Sequence, residues 1–387
     1  MTDLYLLEPV DVDPWFPYGD SRPICELRAG AWLIRERWEA IVDSRTRGVF
    51  APEHLNLFAE DSTPPVLRQE AVAAPALVGR SDFAPSGAAP DFPAGSARLV
   101  NDGDTVGWWV ADGQWDGSTT DWPELEIEGV SLRGSYDIVT ALEHLLAADV
   151  IDFVHERGDS LPDGSIIIGE PANIVSMGAV IEPGVTFDSR NGVIVIEQHA
   201  YVKAGTRLEG PLYIGPGTEV LGGEIRNSSF GPRCHVRGEI SSSVFLGYAN
   251  KGHEGFIGHS VVGRWVNLGA GTTTSNLKNT YGEVKQDVPG RPVDTGRQFL
   301  GTIFGDHAKT AIGTLMPTGA LVGAGANVLS EGTAPKYVRP FAWSGSELMN
   351  LEGFLRTAER VMPRRNVTFT PQVRDFLTDI YHRATDA

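Results

Sequence analysis

The feature that most constrains this 387-residue chain is a six-residue hydrophobic beat in its C-terminal half. Ile196, Val202, Leu208, Ile214 and Val220 recur at intervals of six, and Val244, Phe256, Val262 and Leu268 fall in the same phase. The beat resumes at Phe304, Thr310, Met316, Val322 and Val328 after an interruption from about Thr274 to Thr302. Gly or an acidic residue commonly follows the apolar one, as in IGPGTE, VGRWVN, LGAGTT and VGAGAN. Three such hexapeptides make one coil of a triangular prism, each face turning one aliphatic residue inward and placing Gly, Pro or Asn at the corner. Stacked coils bury a continuous column and pair their backbones with the next coil. The pattern predicts a left-handed parallel β-helix from about Gly164 to Arg339. Arg226, Pro232 and Gly238 break the phase, so the coil near Phe230 to Ser243 is expected to be irregular. The interruption is a polar loop of about 30 residues, and long loops on regular scaffolds commonly carry function or bind a neighbour.

Outside the repeat, the chain divides into residues 1–155, read as a mixed domain of apolar runs and helical segments, and a tail over 342–387. The β-helix domain occupies 156–341. Leu27 to Val42 has apolar residues at helical spacing, and Ser135 to Glu156 reads as an amphipathic helix capped by Ser135. Arg98 to Gln114 reads as two strands around an Asp-Gly turn, and Asp61 to Gly95, rich in Pro, Ala and Ser, as irregular chain. The tail reads as two helices, the second started by Thr370 and Pro371, which cap the open end of the solenoid or pack on a neighbouring chain.

A net charge of −18 argues against nucleic-acid or acidic-membrane partners, which need basic surface. Two distant cysteines exclude a disulfide framework. No basic leader with an apolar run opens the chain, and no stretch approaches a membrane span, so a soluble cytoplasmic protein is expected.

The filled interior of such a prism leaves chemistry to its outer faces or to the space between prisms. Asn250 to Ser260 places His253, Glu254 and His259 in a Gly-rich run, and an imidazole serves as a general base near neutral pH. Val266 to Lys278 offers small residues past which an extended ligand could approach the backbone. His235 lies 18 residues before His253, so these two and His259 also admit a metal cluster like that of the γ-class carbonic anhydrases.

KGHEGFIGHSVVGRWVNLGAGTTTSN resembles the acetyltransferase segment of GlmU-like bifunctional UDP-N-acetylglucosamine diphosphorylase/glucosamine-1-phosphate N-acetyltransferases, which carry a KAGH…YLG…VNIGAGT…CN pattern. Arg22 to Glu39, DTGRQFLGTIFGDHAKTAIGT and AERVMPRR resemble a divergent subfamily with a shortened first domain, which implies a reduced nucleotidyltransferase-like α/β domain over residues 1–155. The resemblance implies acetyl transfer from acetyl-CoA to an amino-sugar 1-phosphate, with uridylyl transfer by the first domain, in a cytoplasmic homotrimer whose site lies between prisms. It puts His253 at the catalytic base. It assigns Arg226, Lys251, Asn267 and Lys278 to the sugar phosphate, and Ala270, Asn276, Thr314 and Ala324 to acetyl-CoA. Arg22 would meet the nucleotide triphosphate and Asp104 a magnesium ion, with Asp102 as its neighbour.

The chain also departs from that pattern. Phe256 stands where the family has a tyrosine, and one of Ser241 to Ser243 where it has a lysine. LLEPVDVDPWFPYGDSRP replaces the glycine-rich loop that holds the triphosphate. These departures keep open a non-catalytic solenoid that binds a sugar nucleotide or scaffolds an assembly.

Overall fold

The computed structural model describes residues 2–58, 60, 62–117, 121–155, 158–288, 291–330, 332–344 and 347–386. The first region is an α/β domain on a seven-stranded sheet. Its strands are β1 (Asp3–Leu7), β2 (Thr46–Phe50), β3 (Val66–Leu67), β4 (Ala76–Arg80), β5 (Ala97–Asn101), β6 (Asp104–Val110) and β7 (Glu124–Glu126). The order is β7-β5-β6-β4-β1-β2-β3. β1 to β4 run parallel and β6 is antiparallel to β4 and β5.

The expected β5–β6 hairpin forms, with Asp102 and Gly103 both at positive φ (51° and 85°), as a two-residue primed turn requires. Two other expectations fail. The helix expected from Leu27 is confined to α1 (Ile34–Val42), because Arg28–Ala29 and Trp32–Leu33 pair around Gly30 as a small hairpin. The stretch Asp61 to Gly95 contains β4, a buried strand next to β1, whose run of small and branched residues lacks the alternation of a half-exposed strand.

Residues from Ile166 onward build the parallel β-helix, 21 strands in one wound sheet counting its short antiparallel end. One face stacks Ile196, Ile214, Phe230, Phe245, Val262, Phe304 and Val322 inward, in register. Each fully buried side chain of this kind contributes about 1.5–3 kcal/mol. The coil around Phe230 departs from the beat as expected: Phe230 and Phe245 pair although only 15 residues apart, because the corners are shorter there. That slip corrects two positions. Phe245 and Ile257 point inward, whereas Val244 and Phe256 face outward.

The first domain lies along one prism face. The outward residues Val195, Tyr213, Val244, Val261, Ile303 and Leu321 form one buried cluster with Ile138, Leu142 and Leu145 of α2 (Asp137–Ile151). Ser135 does not cap α2; its hydroxyl donates to the Phe16 carbonyl at 2.7 Å. The end of the expected helix, Glu156, lies outside the described residues. The long insertion seats against the same domain. It carries the hairpin Lys285–Val288/Arg291–Asp294, and Arg297 reaches Thr140 and Glu143 of α2 at 2.6 and 2.7 Å.

α3 (Leu351–Val361) and α4 (Pro371–Thr385) cover a corner rather than the open end. Tyr248, Trp265 and His307 occupy that corner in successive coils and Phe341 two coils further on, past Gly325, all four at φ between 55° and 62°. Tyr248 stacks on Trp265 at 4.4 Å, and Phe354 of α3 meets both His307 and Phe341. Thr370 caps α4 as expected, its hydroxyl accepting from the Val373 amide at 3.2 Å.

Candidate active site

Each prism has three faces, and their outward residues differ. One face is sealed by the first domain. A second carries charge: Arg207, Glu224, Glu239 and Phe256 follow one another in register, with Arg226 alongside. The third presents Glu219, His235, Asn250, Asn267 and Lys309 on consecutive coils. His253 sits on the corner between the second and third faces.

That corner is tightly wound. Gly255 has φ 136°, and a Cβ there would come within 2.2 Å of the Thr272 carbonyl, so only glycine fits. Glu254 accepts from the Gly271 amide at 2.8 Å and Ala270 from the Gly313 amide at 2.7 Å, stacking three coils of small residues. The His253 side chain is exposed on this ridge. Among the described residues its ring has no hydrogen bond or ion pair; only its carbonyl is engaged, by Lys251 Nζ at 2.5 Å. Asn267 is exposed on the adjoining face, where its Oδ1 accepts from Asn250 Nδ2 at 2.6 Å. His253, Asn267 and Ala270 therefore share one edge of the molecule.

The other expected residues scatter. Lys251 points into the prism between Val236 and the next coil and is 0% exposed, so it does not reach a sugar phosphate. Its Nζ is held by the carbonyls of Arg237 and His253, and burial pulls its ammonium down to about 8. Arg226 stays on the charged face, bound to Glu224 at 2.7 Å and Glu239 at 3.3 Å. Lys278 donates to the Glu283 carbonyl inside the insertion.

Asn276 lies at a second corner, where its amide meets His259 Nδ1 at 2.8 Å. His259 stacks on Phe299 and faces Glu143 at 3.9 Å; burial pulls its imidazole down to about 4, with Glu143 opposing. Thr314 is buried, its hydroxyl donating to the Ala311 carbonyl. Ala324 belongs to the third corner, 7% exposed and bound to the Phe341 amide. Within one chain these positions do not form a single acetyl-CoA groove.

Arg22 departs furthest from expectation. It is 1% exposed and locked in the seam between the first domain and the solenoid. Its Nε and Nη2 donate to Asp306 Oδ2 at 2.9 and 2.7 Å, and Nη2 also reaches Glu60 at 3.0 Å. Arg264 holds the other oxygen of Glu60 at 2.6 Å. Burial raises the Glu60 carboxyl, but Arg22 and Arg264 outweigh it and hold the group below the usual range. Arg22 thus joins domains and has no donor aimed at a triphosphate. Asp104 stands exposed at the foot of the β5–β6 hairpin, beyond the carboxyl end of β4, near Arg80. Open parallel sheets bind ligands at that edge.

His235 stacks on Asn250 rather than His253, and His259 occupies another corner. Among the described residues no group of three His, Cys, Asp or Glu side chains could hold a metal, which removes the carbonic-anhydrase-like cluster. Sequence reasoning missed Lys309, Arg364 and Arg365, which line a cleft with His235, Asn250 and Asn267. A signal existed for Lys309: it precedes the inward Thr310 by one residue, so it must face outward beside Asn267.

A sheet domain clasped along a hexapeptide prism, with a free imidazole on a small-residue ridge, defines a two-part architecture of an α/β domain on a parallel β-helix. Comparison with known proteins gives the relationship. Residues 8–157 match the family described as sugar nucleotidyl transferase. The chain is similar to the bifunctional sugar-1-phosphate nucleotidylyltransferase/acetyltransferase of Sulfurisphaera tokodaii, 30% identical over 53% of each chain. It is also similar to the bifunctional protein GlmU of Methanocaldococcus jannaschii, 25% identical over 52% of this chain and 51% of that one. The GlmU of Streptococcus uberis is 29% identical over 44% of this chain and 32% of its own length. The chain spans about half the length of the first two relatives. The GlmU-like resemblance is borne out by both the family match and these relatives.

No helix among the described residues is long and apolar enough to cross a membrane.

Proposed function

We propose that the protein transfers an acetyl group from acetyl-CoA to the amine of an amino-sugar 1-phosphate, with His253 as general base. The observation that carries this reading is the unpaired His253 ring on the ridge shared with Asn267 and Ala270. The neutral amine attacks the thioester carbonyl, a C–N bond forms, and the C–S bond breaks. His253 accepts the amine proton and returns one to the departing thiolate. Asn267 would orient the sugar, and the stacked small residues at Ala270 would let the donor lie close to the backbone.

A homotrimer is what the GlmU-like resemblance implies, and the surface left uncovered by the chain's own elements leaves room for it. The first domain seals one face and α3 and α4 one corner, while Glu224, Glu239, Glu254 and Leu315 remain exposed around the His253 ridge. Within each chain Ala270 lies on the His253 ridge, so the donor site rests first on it.

The test is direct. Incubation with acetyl-CoA and a panel of amino-sugar 1-phosphates should give a product heavier by one acetyl group. His253→Ala should lower the rate about a hundredfold or more without moving Tm. Full activity in that variant removes His253 from the mechanism.

A second activity, uridylyl transfer by the first domain, is supported by the family match over 8–157. Magnesium commonly takes one or two carboxylates and completes its shell with water and substrate phosphates, and Asp104 fits as such a carboxylate. Pyrophosphate release from UTP and a sugar 1-phosphate, lost in Asp104→Asn, checks it. Tight sugar-nucleotide binding with no turnover of any donor would favour the scaffold reading instead.

A further inference from the structure

A cleft across the third face from the His253 ridge, against the Tyr248–Trp265 corner, has a volume of about 300 Å³ and lies between that face and the turn that follows α3. Its cations are Lys309, Arg364 and Arg365. Lys309 Nζ donates to the His307 carbonyl at 2.8 Å, and burial pulls its ammonium down to about 8. Arg365 Nε is buried without a hydrogen-bond partner, and its Nη1 reaches only the Arg364 carbonyl at 3.4 Å. No ion pair is formed by Lys309, Arg364 or Arg365 among the described residues. The nearby carboxylate, Glu219, lies against His235 at 3.5 Å.

Acidic residues outnumber basic ones 50 to 32 in this chain, so carboxylates were not lacking for these three cations. A desolvated cation without a counter-charge is costly, and natural sites usually hold one where an anionic ligand completes it. Asn250 and Asn267 line the same cleft with amide donors and acceptors.

We propose that this cleft binds a phosphate monoester, with Lys309 and Arg365 as its principal ligands and Arg364 at its mouth. The assignment deepens the acetyl-transfer reading: it supplies the phosphate contacts that Lys251, Arg226 and Lys278 do not. Two sources share that chemistry, the 1-phosphate of the sugar and the 3′-phosphate of coenzyme A.

Calorimetric titration of the full chain separates them, using inorganic phosphate, glucose 1-phosphate, coenzyme A and coenzyme A lacking its 3′-phosphate. Lys309→Met keeps the stem and removes the charge; Arg364→Ala changes an exposed residue and guards against misfolding. A charge-assisted hydrogen bond corresponds to about tenfold or more in Kd, so Lys309→Met should weaken the cognate ligand by that factor. Weakened glucose 1-phosphate binding identifies the sugar. Weakened coenzyme A binding, with the dephosphorylated form unaffected, identifies the donor. Undiminished affinity for all four in both variants, or no binding by the unaltered protein, overturns the proposal. Binding is read without turnover, so an inactive His253→Ala protein that still binds phosphate separates this site from the catalytic reading.

Discussion

Two clusters of cations, one buried and one half-buried, lie on opposite sides of the same corner, and they are solved in opposite ways. In the seam, Arg22 and Arg264 meet Asp306 and Glu60, and the Asp306 Oδ1 also accepts the Arg264 amide at 2.8 Å. In the cleft, among the described residues, the side chains of Lys309 and Arg365 meet only backbone carbonyls. The seam charges are complete within the chain and serve assembly. The cleft charges are incomplete and wait for something outside it. Positive charge in a resemblance-derived site therefore says little until its partners are seen: Arg22 resembled a nucleotide ligand and is a domain tie.

The sharpest way to break this contrast is to remove one seam carboxylate. Asp306→Ala leaves Arg22 buried with half its partners, which should cost about 3–5 kcal/mol. Chemical denaturation of the variant should show that loss, with the first domain released from the solenoid. A loss under about 1 kcal/mol would mean that the seam is wetter and weaker than its geometry shows.

Lys251 provides the next effect, through pH. Its folded-state pKa of about 8 lies below the unfolded value near 10.4. Between those values the unfolded chain binds more protons, so stability should rise with pH across roughly 8 to 10.4, by about 3 kcal/mol at most for this one lysine. Lys309, also near 8, adds a slope of the same sign. Lys251→Met should remove its share and leave that of Lys309, whereas saturating phosphate should remove the share of Lys309 by keeping it charged. Identical slopes in all three conditions would dissolve the distinction between the two lysines.

What the sequence made legible follows from how far each signal reaches. The six-residue beat reports a local geometry repeated many times, so the prism and most of its inward column, from Ile196 to Val328, could be read directly. Val244 and Phe256 were misplaced because the beat counts residues, whereas the prism conserves faces and shortens corners. β4 was invisible because a strand buried on both sides loses its alternation. The His253 ridge was legible as a motif, and Asn267 and Ala270 follow from the same coil phase. The fates of Arg22 and Lys251 were not, since one depends on Asp306, 284 residues away, and the other on the one-residue choice between inward and outward. Lys309 and Arg365 line one cleft only because the turn after α3 folds back over the third face.

Smaller effects sharpen the contrast from its exposed side. Lys309→Met removes a desolvated charge that has no carboxylate to strand, so it should leave stability unchanged or raise it by about 1 kcal/mol at neutral pH, the opposite sign to Asp306→Ala. Arg226→Ala should do least. Its guanidinium is 38% exposed between two carboxylates that are themselves about half exposed, and such surface pairs are worth roughly 0–1 kcal/mol. A phosphate brought to Arg226 would have to displace Glu224 and Glu239 and would meet their charge. Thermal denaturation of Arg226→Ala should therefore move little, and its affinity for inorganic phosphate should match the unaltered protein. A tenfold loss of phosphate affinity in this variant alone would return the anion to the charged face and leave the cleft cations without a role.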